Sequence, residues 1–392
     1  MNENLKKLNI ETPVYLCDLS KVRSNLNLLK SVAKKSGAKI LCALKGFAFS
    51  GAMPLVSSEL SGATCSGLHE ALYASECGFK QIHVYSPAFK ESEMEEILKV
   101  AHHVVFNSVS QLLLFKERAL KAGVSVGLRV NPESSASPVE AYDPCGRFSR
   151  LGVRESALKE ALGEFPNLLK GVEGLHFHAL CEEDAESLER VLEAFEARFG
   201  EFFGGLKWLN FGGGHHITRA GYNVKLLVKL VKDWREKYGV EVFLEPGEAV
   251  GWQTGDLVAR VLDIVKNERQ ICIIDASPEC HMPDTVLMPY RPRIKGEVAM
   301  MDFERAKFCY LFGGATCLAG DVCGVAAGFE EYFFEREICV GDLVVFEDQI
   351  HYSVVKNTTF NGVALPHLAV LDEDGTLRYI KKFGYEEFRR RN

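Results

Sequence analysis

Short apolar runs bounded by polar or glycine-rich turns recur from about residue 38. They are KILCALK (39–45), GATCSG (62–67), QIHVYS (81–86), HVVFNS (103–108), VSVGLRVN (124–131), GVEGLHFH (171–178), KWLNFGG (207–213) and VEVFLEPG (240–247). Residues 91–100, 109–122, 184–199 and 223–238 lie between such runs and repeat their apolar positions at the helical period. Strands alternating with helices imply right-handed crossovers and a parallel sheet. Eight such units predict an α/β fold, a (β/α)8 TIM-type barrel over residues 25–251. The runs are apolar at both parities, as strands buried on both faces should be. Beyond residue 251 the strand-like stretches 257–266, 270–275, 308–312, 343–346, 363–371 and 377–381 have few helical patterns between them. They predict a C-terminal β-rich domain, a sandwich or barrel, over 252–392. Residues 1–24, with the strand-like TPVYLC at 12–17, are assigned to it. One connection is long and polar, 132–150, leaving the C-terminal end of the fifth strand. Barrel enzymes place their sites at that end, so it is expected to be a functional loop.

Composition narrows the function. Among 392 residues, Lys+Arg 46 against Asp+Glu 53 gives a net charge of −7, which argues against nucleic acid as partner. No apolar run approaches a membrane span, and the first residues lack the apolar core of a signal peptide. The twelve cysteines form no C-x-x-C pair, the pattern of reduced thiols in a cytoplasmic protein.

Four features fall at the predicted strand ends. Lys45 ends the first strand among apolar neighbours, where desolvation favours the neutral amine that Schiff-base chemistry needs; the plainer reading is a snorkelling lysine. His176 and His178 share a face of the sixth strand. They are a metal-ligand pair, a ring stacked on a planar cofactor with a second histidine beneath, or a buried hydrogen-bonded pair. Gly212, Gly213 and Gly214 follow the seventh strand and predict an anion nest for a phosphate, against a simple tight turn. Glu245 ends the eighth strand in EPG, with Gly247 letting backbone approach a ligand. Its carboxylate is a candidate metal ligand, general base or partner of a pyridinium nitrogen. An amine, an aromatic stacker, a phosphate nest and an acid on one rim together suit pyridoxal 5′-phosphate.

These residues resemble the fold-type III, alanine-racemase-like pyridoxal phosphate decarboxylases over nearly the whole chain. ALKGF resembles the family's lysine motif, implying that Lys45 binds the cofactor aldehyde. HFHALCE implies that His178 stacks on its ring. GGG at 212–214 and EPG at 245–247 match the phosphate loop and the pyridine-nitrogen carboxylate. GATCLAGD implies that Cys317 is a catalytic thiol and proton donor reaching a neighbouring subunit's site, hence a homodimer. Tyr352, in IHYSVVKNTTFNG, takes the place of the phosphate-binding tyrosine. SRLGV sets Arg150 where a basic residue pairs with an acid corresponding to Asp321.

The departures choose among relatives. Cys317 is followed by Leu318 where ornithine decarboxylases carry Asp and diaminopimelate decarboxylases Glu, and EPG is followed by Glu248 where those relatives carry arginine. HALCE, DASPECHMPD (275–284) and GATCLAGD resemble the carboxynorspermidine/carboxyspermidine decarboxylase branch. That implies a small carboxypolyamine substrate in polyamine biosynthesis. An acid such as Glu248, with Asp284 as a second candidate, suits a polyamine ammonium. Ornithine or diaminopimelate decarboxylation is the alternative, and a metal-dependent barrel hydrolase using His176, His178, His215 or His216 and Glu245 is a distant one. No metal is expected on the favoured reading.

Overall fold

In the computed structural model, residues 10–135, 143–324, 327–328 and 331–392 are described. The chain divides into two compact units. One holds Arg23–Gly46 and Met53–Val250; the other holds the chain up to Val22, Phe47–Ala52 and Gly251–Asn392. Phe47–Ala52, which the sequence places inside the barrel stretch, therefore groups with the β-rich unit.

The first unit is a closed barrel of eight parallel strands. They are β2 (Lys39–Ala43), β3 (Gly62–Cys65), β4 (Ile82–Tyr85), β5 (His103–Phe106), β6 (Ser125–Arg129), β7 (Val172–His176), β8 (Trp208–Asn210) and β9 (Glu241–Leu244). β9 closes the ring on β2 through Lys39↔Phe243 and Ile40↔Leu244. Each of the eight predicted runs contains one of these strands, shorter than the run. The helices Glu91–Val100, Val109–Lys121, Ala185–Phe199 and Val224–Tyr238 match the predicted segments to within a residue. Side-chain caps explain two of the starts: Ser108 accepts the Gln111 N–H and Asn223 accepts the Leu226 N–H.

Trp208 fills the barrel interior with Leu41, Val105 and Phe243. A Cβ at Gly127 or Gly174 would come within 2.3 or 2.1 Å of its indole, so β6 and β7 carry glycine opposite it. The indole N–H donates to Ser125 Oγ (2.9 Å), which in turn donates to Glu173 Oε2 (2.6 Å). Beside Trp208, the rings of His83 and His103 stack with centroids 3.9 Å apart. This floor lies below the strand ends where the predicted chemistry gathers.

In the second unit, β1 (Val14–Asp18), β10 (Gly255–Asn267), β11 (Arg269–Ile274), β12 (Phe308–Gly313), β13 (Tyr332–Phe334), β14 (Leu343–Phe346), β15 (His367–Leu371) and β16 (Leu377–Lys381) form one mixed sheet. The order is β13-β12-β11-β10-β1-β15-β16, with β14 also on β10. β1 pairs antiparallel with β10 and parallel with β15, so the N-terminal strand is an interior member of this sheet. Its Val14 and Leu16 pack with Val258, Leu343, Val345 and Ala369. The predicted loop 132–150 is described only at 132–135 and 143–150. Among the described residues no helix is long and apolar enough to cross a membrane.

Candidate active site

The barrel unit brings Lys45, His176, His178, Gly212–Gly214 and Glu245 to the C-terminal ends of its strands. β2 stops at Ala43, and Lys45 lies in the turn beyond it, where Leu44 N–H bonds Thr64 O and Gly46 N–H bonds Ala43 O. That turn packs on the exit of β9. A Cβ on Gly247 would come within 2.7 Å of Ala43 O, and one on Gly46 within 3.1 Å of Glu248 N. The glycine of EPG thus serves backbone against backbone between two strand exits, where the sequence suggested approach to a ligand. The Lys45 side chain is exposed within the chain. Partial desolvation by the protein atoms around it, then the Arg129 guanidinium, lowers its pKa; Glu245, Cys181 and Glu70 pull the other way. Lys45 makes no hydrogen bond or ion pair among the described residues.

Glu245 is buried at the end of β9. Asn210 Nδ2 donates to its Oε1 (2.8 Å), and His176 Nε2 lies 3.4 Å from its Oε2. Burial by itself would raise the carboxyl pKa, but His176 and Asn210 outweigh it and hold the group at about 2. Glu245 is therefore an anion at any physiological pH. His178 lies just beyond β7, and its Nδ1 accepts the Gly213 N–H at 2.9 Å. That bond assigns the ring proton to Nε2. Burial, then Lys45 and Arg129, push its pKa well down, so the ring is neutral.

The glycine loop differs from the expected nest. Gly212 N–H donates to Asn210 Oδ1 and Gly213 N–H to His178 Nδ1, so two of the three amides already have internal acceptors. The amides of Gly214 and His215 have none among the described residues. The glycines are also forced by packing. Gly212 and Gly214 adopt φ of 67° and 81°, and Cβ atoms there would lie 2.3 and 2.1 Å from the carbonyls of Phe177 and Leu180.

The hydrolase ligand set is not assembled. His176 faces Glu245, but His178 turns to Gly213 and His215 Nε2 to Phe211 O (3.3 Å). Among the described residues no cluster of three or more metal-ligating side chains forms.

On the β-rich unit, Cys317 is exposed, its N–H held by Asn361 Oδ1 at 2.7 Å. Tyr352 begins the short helix Tyr352–Lys356, with Lys356 Nζ 4.9 Å from its ring centre. Asp284 is buried, and Lys356 Nζ lies 2.6 Å from its Oδ1. Its charge is matched within its own unit, which weakens its case as a second acid for a polyamine. Asp321 likewise accepts from Ser277, Glu279 and Thr316 with both oxygens. Arg150 is exposed and forms no ion pair among the described residues.

A family described as alanine racemase, N-terminal domain, matches residues 17–209. A carboxynorspermidine/carboxyspermidine decarboxylase from Campylobacter jejuni is 52% identical over 392 residues, covering 98% of this chain and 99% of that one. The chain belongs to the carboxynorspermidine/carboxyspermidine decarboxylase family. It is a decarboxylase of the fold-type III class. A carboxyaminopropylagmatine decarboxylase from Synechocystis is 35% identical, covering 99% of this chain and 97% of that one. The crystal structure of the Campylobacter jejuni carboxynorspermidine decarboxylase complexed with norspermidine superposes with a TM-score of 0.88 at 51% identity, covering 98% and 100% of the two chains.

Against this family frame, three residues at the strand ends were missed in the sequence. Arg129, the last residue of β6, is buried, donates to His178 O (3.2 Å) and lies 4.6 Å from the Tyr85 ring centre. No carboxylate pairs with it among the described residues, so its charge bears on Lys45 and His178. Tyr85 and Asn210 complete the set. Like Arg129, each is the polar last residue of its strand, and that position was the signal available.

Proposed function

We propose that this protein uses pyridoxal 5′-phosphate to decarboxylate carboxynorspermidine and carboxyspermidine, giving norspermidine and spermidine. One observation carries the reading: a buried, ionised Glu245 has only neutral dipoles on its two oxygens, on the same rim as a lysine whose amine is pushed toward neutrality. An uncompensated buried anion suits a protonated ring nitrogen, and a neutral amine suits an aldehyde. The unpartnered amides of Gly214 and His215 suit a phosphate. These residues fit the cofactor that the fold-type III decarboxylases generally use.

On this reading Lys45 holds the cofactor aldehyde, Glu245 the ring nitrogen, the Gly214 and His215 amides the phosphate, and the His178 imidazole the ring face. When bound, pyridoxal phosphate supplies a conjugated ring that takes up the electron pair left by departing CO₂. Glu245 keeps its proton partner in place because its own carboxyl protonates only near pH 2. His178 stays neutral and fixed by the Gly213 N–H, so it orients without adding positive charge. Cys317 is the proposed proton donor to the α-carbon of the product, acting in a homodimer; its exposed position on the β-rich unit is consistent with service to another chain. We place the enzyme in the cytoplasm, which its twelve cysteines without a C-x-x-C pair support.

The testing experiment is CO₂ release with added pyridoxal phosphate on carboxynorspermidine, carboxyspermidine, ornithine and diaminopimelate. Turnover of both carboxypolyamines is expected, with a modest ratio between them, since one methylene is worth about 1–3 kcal/mol in a pocket. Preference for ornithine or diaminopimelate would overturn the substrate assignment.

Glu248 is half-buried at the first turn after β9, and burial, then Glu182 and Glu248, raise the Cys181 thiol pKa. We assign it to the substrate's ammonium. Glu248→Ala is expected to raise KM for the carboxypolyamine roughly tenfold, the worth of a hydrogen bond to a charged group, with kcat little changed. Steady-state kinetics decide it, and an unchanged KM removes Glu248 from the substrate contact.

A further inference from the structure

The Glu245 carboxylate is held by neighbours that are themselves held. Asn210 donates to Oε1, and its own Oδ1 accepts the Gly212 N–H, so its amide cannot turn over without losing both bonds. His176, only 2% exposed, presents Nε2 to the other oxygen at 3.4 Å. Its Nδ1 is buried and has no hydrogen-bond partner among the described residues. The tautomer follows from that asymmetry. A proton on Nδ1 would bury an unpaired N–H and turn a lone pair on the carboxylate, whereas a proton on Nε2 makes the bond. The imidazole is braced laterally by Tyr85, 5.5 Å away between ring centres. Tyr85 lies in turn under the Arg129 guanidinium and donates its hydroxyl to Asn107 Oδ1 at 2.7 Å.

We propose that His176 is a positioning residue for the decarboxylation, its Nε2–H fixing the Glu245 carboxylate as the anion that meets the cofactor's ring nitrogen. The inference rests on the pyridoxal phosphate reading above and extends it below the cofactor to a residue that does not touch it.

The choice of histidine has a physical reason. A lysine or arginine in its place would hold Glu245 equally well but neutralise it, and the ring nitrogen would lose the charge that keeps it protonated. Burial lowers the His176 pKa, and although Glu245 opposes this, Arg129 and Lys45 reinforce it, so the ring donates as a neutral group. It therefore orients the carboxylate and leaves its negative charge available.

The test uses the loaded enzyme with His176→Leu and His176→Gln. The leucine variant is expected to lose about 10- to 100-fold in kcat, the effect of one hydrogen bond to a charged group, with the substrate KM within about twofold of wild type. In enzyme loaded with ¹⁵N-labelled pyridoxal phosphate, its ring-nitrogen resonance is expected to move toward the unprotonated form. The glutamine variant, which retains an N–H donor, is expected to recover both readouts in large part. A leucine variant with wild-type kcat and wild-type ¹⁵N shift would show that His176 only fills space. Should the leucine variant fail to fold, ¹⁵N-histidine spectra of the wild-type enzyme decide: a neutral Nε2–H tautomer is expected, and a cationic ring or an Nδ1–H tautomer overturns the proposal. Wild-type protein that takes up no pyridoxal phosphate overturns the cofactor reading and this inference together. Normal loading with an indifferent leucine variant overturns the inference alone.

Discussion

Lys45→Ala is expected to abolish decarboxylation, by on the order of 10⁴-fold or more, as removal of a covalent nucleophile does elsewhere. Borohydride reduction of wild-type protein loaded with pyridoxal phosphate should leave a pyridoxyl group on Lys45, detectable as a mass increment on one peptide. The alanine variant should show none. The argument runs through the amine's state. An ammonium is no nucleophile, and a lysine in water stays protonated far above neutral pH. Here the crowding of protein atoms around Lys45, followed by the Arg129 charge, shifts the balance toward the free amine. Arg129 has no acid of its own among the described residues, so its field reaches Lys45 uncancelled except by Glu245, Cys181 and Glu70. The cofactor should also bind less tightly to the variant, because one covalent attachment is lost while the contacts at Glu245 and at the Gly214 and His215 amides remain. Loss of turnover with an intact borohydride adduct elsewhere on the chain would move the attachment point and undo the assignment of Lys45.

The barrel was legible because its eight strands are buried on both faces and read as unbroken apolar runs between helical segments. Lys45, His178 and Glu245 were legible for a related reason: each is a polar residue at the end of such a run. Arg129 ends the strand β6, yet an arginine at a strand end is ordinary until the ring closes and buries it. The helix Leu19–Ser36 is faint in the pattern, although Val22, Leu26, Leu29 and Val32 form its buried face. Its lysines, serines and asparagines dilute the pattern. What the sequence could not give was who pairs with whom. Asp284 and Lys356 are 72 residues apart, and only the folded β-rich unit brings them to 2.6 Å. The glycine loop shows the same limit from the other side. Three glycines in a row correctly marked a place of close approach, but part of what approaches is the chain's own carbonyls and the His178 ring.

Stability of the barrel unit is expected to collapse on mild acidification, well above the range where carboxylates titrate. Five of its histidines, His83, His103, His176, His178 and His215, have pKa values lowered chiefly by burial, with His103 and His215 near 4. In the unfolded chain each takes up a proton below about pH 6.5. The native state refuses it, so protons favour unfolding, and the stability these groups contribute is complete above pH 6.5 and drains away as the pH falls toward the folded values. Each such group removes up to about 1.4 kcal/mol per pH unit, and the four most strongly shifted, His83, His103, His178 and His215, together approach about 6 kcal/mol per unit. A domain with about 5–15 kcal/mol of stability would lose it within about one to three units. Glu245 acts in the same direction at lower pH, between the ordinary carboxylate range and about 2. The urea midpoint followed by circular dichroism is therefore expected to fall steeply between about pH 6 and 4.5. The stacked pair offers the sharpest control. Both His83 ring nitrogens and His103 Nδ1 are buried without hydrogen-bond partners among the described residues, so the His83 ring gains nothing from being polar in the native state. His83→Leu should flatten the slope by up to about 1.4 kcal/mol per pH unit while leaving the pH 8 midpoint within the range of a core substitution. A midpoint that stayed level from pH 7 to 4.5 would mean that these imidazoles are already protonated in the folded protein, and the neutral histidines assigned around Glu245 would have to be abandoned with them.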